Sequence, residues 1–286
     1  MATRVAFLGP AGTFSEDALL SAAGTADIDP LPRPSVYAAI RAVAEGEAER
    51  ALVPFENSIE GAVRSTLDTL AFEAEGVTIA GEHDHPIRHS LIARSEMPLD
   101  QVAVVLSHPQ ASAQCARFIR EELPDSTVRA AASTADAVRS VATGEERWAA
   151  LGAASAARIY DCVVLCEGVE DNPDNVTRFV WIAPEGTRPV GAGPWRTTLV
   201  FSELGADHPG ALVEALTEFS SREVNLTRIE SRPLRQGLGR YMFFCDLDGA
   251  ADQAPVAEAI QALRGKAESV RILGSYPIAA DGIPGA

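Results

Sequence analysis

Thr177 and Arg178 stand side by side in NPDNVTRFVWIAPEG, residues 172–186, at the start of an apolar run and with no histidine or cysteine nearby to complete a catalytic set. Hydroxyls and carboxamides recur at earlier junctions. In VPFENSIEG (53–61), Asn57 and Ser58 follow a strand-like run and precede an amphipathic helix. In SHPQASAQC (107–115), Ser107 ends a strand and Gln114 lies along the next helix, and in GPAGTFSEDAL (9–19) Thr13 stands ahead of a helix. Groups of this kind place a substrate and hydrogen-bond its oxygens rather than act as strong acids or bases.

Each motif also has an ordinary structural use. Asn and Ser cap helices, a β-branched Thr suits a strand, and an Arg can end a strand in solvent. Two polar crescents on the same side of one sheet favour a site, because ligands of α/β sheets lie beyond the carboxyl ends of the strands. Neighbours on a regular strand point to opposite faces. Thr177 and Arg178 can therefore share a site only before the strand becomes regular, which the turn-like DNPDN preceding Val176 permits.

Other candidates are weaker. GPAGT lacks both the GK[ST] ending of a P-loop and GxGxxG spacing, so a carboxylate site or a plain tight turn is expected there, not a nucleotide site. His83 and His85 fall on one face of a possible strand, with His89 beyond, but no matching acidic pair follows and no metal is expected. His108 before a proline reads as acid, base or structural hydrogen-bonder. Cys115, Cys162, Cys166 and Cys245 read as structural, and on a strand the two sulfurs of CVVLC would stand roughly 13 Å apart, too far for one zinc.

Strand, loop and helix alternate from TRVAFLG through NVTRFVWIA, an α/β pattern read with parallel strands. Residues 184–195, PEGTRPVGAGPW, form a Gly/Pro-rich linker. The order βαββαβ follows over 196–277, which is ferredoxin-like, and 278–286 is a tail.

The chain has 286 residues, 47% hydrophobic, with a formal charge of −16. Its length favours two domains, and its acidity argues against nucleic acid or an anionic membrane as partner. The N-terminus has no signal-peptide zones, so the cytoplasm is the expected compartment.

Taken together and in order, GPAGTFSEDAL, VPFENSIEG, SHPQASAQC and NVTRFVWI resemble the prephenate dehydratase family, while DHPGALVEAL and NLTRIESRP look like its phenylalanine-sensing ACT domain. The resemblance spans nearly the whole chain. It implies a catalytic domain over 1–183 built of two α/β subdomains like those of periplasmic binding proteins, roughly 1–78 with 165–183 and 79–164, with the site in the cleft between them. It also implies cofactor-free, metal-free conversion of prephenate to phenylpyruvate, water and CO2, with Thr177 as the catalytic hydroxyl. Thr13, Asn57, Ser58, Ser107, Gln114, Arg178 and Phe179 would line the site, and Arg178 is expected to pair with the pyruvyl carboxylate. Gly210, Ala211, Leu212, Asn225 and Leu226 would contact the effector phenylalanine where two ACT domains meet, within a homotetramer built as a dimer of dimers. Arogenate dehydratase is the rival on the same scaffold, and a non-catalytic amino-acid sensor the rival of another class.

Overall fold

Val5, Ala6, Phe7 and the run Ala51–Val53 are fully buried, the mark of central strands covered on both faces. In the computed structural model, which describes residues 2–145, 147–189, 191–204, 208–278 and 283–284, these runs centre the first lobe. Val190 of the linker and residues 279–282 and 285–286 of the expected tail lie outside the described residues.

The first lobe comprises β1 (Thr3–Leu8), α1 (Phe14–Ala23), β2 (Ile28–Arg33), α2 (Val36–Ala44), β3 (Arg50–Asn57), the short β4 (Gly61–Ala62), α3 (Arg64–Phe72) and β5 (Val77–Pro86). Its helices start where the sequence supplies caps: Thr13 accepts from Glu16 N and Ser35 from Ala38 N, which satisfies first-turn N–H groups. Val36, Ala39, Ile40 and Val43 form the buried stripe of α2. They pack with Leu67 and Leu70 of α3 on the sheet.

The second lobe holds β6 (Ser90–Ala93), β7 (Val104–Ser107), α4 (Pro109–Gln114), α5 (Ala116–Glu122), β8 (Thr127–Ala130), α6 (Thr134–Thr143), β9 (Trp148–Gly152), α7 (Ala154–Ile159) and β10 (Val163–Glu167). Its sheet runs β10-β6-β9-β7-β8. The chain then returns to the first lobe as β11 (Val176–Pro184), inserted between β3 and β5.

Two sequence expectations need correction. The sheets are mixed: β11 runs antiparallel to β3 and β5, and β6 antiparallel to β9 and β10, because a chain that leaves one lobe and re-enters it must reverse direction. The crossings fall at 87–89 and 168–175, later than a subdomain border at 79 or 165, because β5 keeps its pairing with β11 through Pro86 and β10 stays paired with β6.

The C-terminal domain is β12 (Trp195–Ser202), α8 (Ala211–Ser220), β13 (Leu226–Pro233), β14 (Tyr241–Asp248), α9 (Ala254–Leu263) and β15 (Ser269–Pro277), the βαββαβ order read from the sequence. Its antiparallel sheet, β13-β14-β12-β15, meets the first lobe edge to edge through β15 and β5. A Cβ on Gly274 would meet the Ile79 carbonyl oxygen at 2.2 Å, so only glycine permits this approach. Strand alternation then divides the sheet's faces. Leu199, Phe201, Cys245 and Leu247 pack under α8 and α9, while Val200, Met242, Phe244 and Tyr276 join the core of the first lobe. The tail returns as well: Arg50 Nε donates to the Pro284 carbonyl at 2.9 Å.

Candidate active site

Thr177 faces a cleft of about 800 Å³ between the lobes, lined on one side by Thr13, Phe14, Asn57 and Phe179 and on the other by His108, Gln110, Gln114 and Ser133. Leu8, Pro32, Pro54, Val63 and Ile87 supply an apolar lining. Thr177 is 8% exposed.

The polar groups at its base have a polarity set by the backbone. Asn57 Oδ1 accepts from the N–H groups of Ile59 and Glu60, at 3.0 Å each. The Asn57 amide nitrogen must then point the other way, and it donates to Thr177 Oγ1 at 2.9 Å and to Asn175 Oδ1 at 2.8 Å. With its oxygen so occupied, Asn175 donates from Nδ2 to Gln114 Oε1 at 3.0 Å. His89 Nε2 lies 3.1 Å from the same oxygen and, since that oxygen only accepts, carries the hydrogen. Burial pushes the His89 imidazole below its ordinary value, although the bond to Gln114 and the charge of Glu170 oppose this, so the ring is neutral near pH 7.

Two groups of this network keep a hydrogen to give. Thr177 Oγ1 is an acceptor toward Asn57, and its own hydrogen meets no protein acceptor among the described residues. Among the described residues the Gln114 amide nitrogen makes only a 3.4 Å contact, to Glu60 Oε1.

Positive potential comes from the backbone. The ten-residue helices α1 and α6 begin at the cleft wall, capped by Thr13 and Ser133, and a helix N-terminus favours an anion. Arg33, at the end of β2, also lines the wall but is ion-paired with Glu47. Asp136 is engaged by Ser133 Oγ at 2.9 Å and by Arg139. The Tyr160 hydroxyl donates to Ala11 O at 2.8 Å, a bond from one lobe to the other.

The structure brings together Thr13, Asn57, Gln114, Thr177 and Phe179 but not the other expected residues. Ser107 is fully buried behind the cleft, donating to the His108 carbonyl at 3.0 Å. Ser58 ties down the start of β11 from outside the cleft, accepting from Val176 N at 3.0 Å.

Arg178 is the main correction. Thr177 pairs with Asn57 and Arg178 with Glu56 in regular register, so alternation sends the guanidinium to the opposite face. There it meets Asp246 at 2.6 Å, Glu56 at 2.8 Å and Glu82 at 3.3 Å. A pairing with a substrate carboxylate in the cleft is excluded by this direction. Burial opposes the charge of Arg178, but its acidic partners together, Asp246 foremost and Glu82 with it, drive the pKa above its ordinary value.

Sequence reasoning missed Asn175 and the part played by His89. Asn175 lies in DNPDN, whose composition reads as a turn, and its partners are more than sixty residues away in sequence. His83 and His85 sit with ring centroids 6.0 Å apart on β5, and His85 lies edge-on to Phe179.

In the C-terminal domain, Gly210 caps α8 with φ +97°, and Ala211 and Leu212 line a cavity of about 350 Å³ with Leu204, Leu234, Tyr241 and Phe243. Asn225 lies apart from it, donating to Asp248 at 2.8 Å, and Leu226 packs toward the domain core. The strand that carries ESRP reaches the first lobe instead: Arg232 and Arg235 meet Asp68 of α3 at 2.7 and 2.8 Å.

Comparison with known proteins agrees with this layout. The family model for prephenate dehydratase matches residues 5–187, and that for the ACT domain matches 199–265. A prephenate dehydratase of Mycolicibacterium vanbaalenii is 40% identical over 287 residues, covering 96% of this chain and 90% of that protein. Among solved structures, prephenate dehydratase from Arthrobacter aurescens in complex with L-Phe superposes with TM-score 0.88 at 41% identity, covering 99% of this chain and 92% of that one. A protein described as a novel type of quorum-quenching acylase superposes with TM-score 0.86 at 32% identity, over 96% of this chain and 98% of that one. With more than half its length matched by the catalytic model and the ACT model following in order, this chain belongs to the prephenate dehydratase family.

Proposed function

We propose that the cleft converts prephenate to phenylpyruvate, CO2 and water, and that Thr177 is the group that assists departure of the ring hydroxyl. The observation that carries this reading is the Asn57 amide donating to Thr177 Oγ1: it leaves the threonine hydrogen free for a leaving oxygen.

The substrate is a dianion on a cyclohexadiene ring. The C–C bond to the ring carboxylate breaks, its electron pair moves through the ring, and the opposite C–O bond breaks as the ring becomes aromatic. One proton, drawn from solvent over the cycle, converts the departing hydroxide to water. An elimination driven by aromatisation needs alignment and one well-placed donor more than acid strength. The apolar wall suits the ring. The N-termini of α1 and α6 suit the anionic end in a protein of formal charge −16.

A nucleophilic acyl-transfer reading finds less support. Activation of Thr177 would need a base to take its proton, and its hydrogen-bond partner is an amide donor, the opposite polarity.

Phenylalanine is the effector we assign to the ACT domain. Gly210, Ala211, Leu212, Asn225 and Leu226 contribute to a site completed by a second chain, in a homotetramer made as a dimer of dimers, and the cytoplasm is the compartment of this biosynthetic step. No helix among the described residues is long and apolar enough to cross a membrane.

The test is ultraviolet detection of phenylpyruvate from purified protein given prephenate, repeated with arogenate and with added phenylalanine. Product from prephenate, diminished by phenylalanine, is expected. Turnover of arogenate alone would replace the substrate, and no product from either would leave only the sensor reading.

A further inference from the structure

Asn175 is 1% exposed and sits in the second crossing between the lobes, immediately before β11. It touches both halves of the cleft at once: its Oδ1 receives Asn57 from the first lobe and its Nδ2 gives to Gln114 of the second. Its backbone carbonyl accepts from Ile87 N at 2.8 Å, which ties it to the first crossing as well.

Each amide in this chain of bonds can be rotated end for end without changing its shape, and only hydrogen-bond partners decide which end is which. At Asn57 the decision comes from two backbone N–H groups. Among the described residues the Gln114 side chain has no backbone contact of that kind. The orientation of its amide follows from Asn175 and from His89, both of which donate to Oε1.

We propose, on the reading of the cleft given above, that Asn175 is a positioning residue which carries a fixed hydrogen-bond polarity from the backbone at Ile59 and Glu60 across the lobe junction. It holds the Asn57 amide against Thr177 Oγ1, so that the threonine hydrogen faces the substrate. It also turns the Gln114 amide nitrogen toward the cleft, so that both lobes offer donors to an oxygen-rich anion. An asparagine is required because the site needs one acceptor and one donor on the same short planar group. Aspartate has the shape but cannot donate, and serine cannot span both partners.

The decisive variant is Asn175→Asp, which keeps the volume and the acceptor toward Asn57 but removes the donor toward Gln114. Asn175→Ala is its companion, and if the alanine variant fails to fold the isosteric aspartate carries the test alone. Turnover of prephenate is measured in single-turnover format with excess enzyme, so that slow variants are still read. In the otherwise unaltered chain Asn175→Asp is expected to lower the rate by about 10- to 100-fold, the cost of a misdirected hydrogen bond to a reacting group. In a Gln114→Ala background the same substitution is expected to cost several-fold less, because its route to the substrate is already cut, whereas in a Thr177→Ala background its cost is expected to persist.

Side-chain amide NMR resonances of Gln114 and Asn57, recorded without substrate, are expected to move in Asn175→Asp. An equal loss in the Gln114→Ala background, or an unaltered rate, would overturn the proposal. Absence of turnover by the unaltered chain would instead sink the reading of the cleft, while the amide resonances would still report whether Asn175 sets the polarity.

Discussion

The Arg178 guanidinium lies 2.6 Å from the Asp246 carboxylate, joining the strand that carries Thr177 to the central part of the ACT sheet. Asp246 is fully buried and also accepts from Thr198 Oγ1 at 2.8 Å. Arg196 donates to Glu82 at 2.7 Å, so arginines and carboxylates from both domains alternate through the junction. The two neighbours on β11 thus divide the work. One faces the reaction, and the other holds the strand to the regulatory domain.

Removing one partner of such a buried pair strands the other charge. Asp246→Ala is expected to lower the unfolding free energy by about 3–5 kcal/mol, read from urea denaturation. Arg178→Ala should act in the same direction and leave KM for prephenate within about threefold, because its loss removes no cleft contact. A selective rise in KM without loss of stability would return Arg178 to the substrate.

Thr177→Ala is expected to lower kcat by about 10²–10³-fold, the usual cost of deleting one aimed donor, with KM nearly unchanged. Thr177→Ser keeps the hydroxyl and should recover much of the rate. Steady-state kinetics on prephenate decide this, and a near-normal kcat for the alanine variant would remove Thr177 from its role.

Asp68 links the ESRP strand to α3. Burial raises its pKa, but the bonds to Arg232 and Arg235 outweigh burial and hold the carboxyl below its ordinary value. A lowered carboxyl stabilises the fold above the unfolded value of about 3.9, and that contribution is lost as pH falls through the folded value. Asp68→Asn is expected to cost about 1–3 kcal/mol at pH 7 and to flatten the acid side of the profile. Urea midpoints at pH 7, 5 and 3 measure both effects.

The histidines act with the same sign as Asp68 but in a higher pH window. Burial lowers the pKa of His83, His85 and His89, so below about pH 6.5 the unfolded chain binds protons that the folded one refuses. Stability is expected to fall as pH drops through that value toward the lower folded pKa values. His85→Phe, beside Phe179, removes one of the three contributions, and its urea midpoint should vary less between pH 7 and 5.5 than that of the parent.

Much of this protein is written locally. Alternating strands and helices, the caps at Thr13 and Ser35, the Gly/Pro-rich break at 184–195 and the βαββαβ order depend on neighbours in sequence, where propensity and periodicity act. The cleft residues Asn57, Gln114 and Thr177 were legible because each sits at a strand end or on the helix that follows one, where α/β sheets bind ligands.

What needed the tertiary structure is direction and partnership. The sequence puts Thr177 beside Arg178, but only pairing with β3 decides that one faces the cleft and the other the ACT sheet. It places Asn175 in a segment that reads as a turn, and only the return crossing brings that side chain between Asn57 and Gln114. Hydrogen-bond polarity and buried ion pairing join groups far apart along the chain, and strand register, set by the packing of whole lobes, chooses which of them meet.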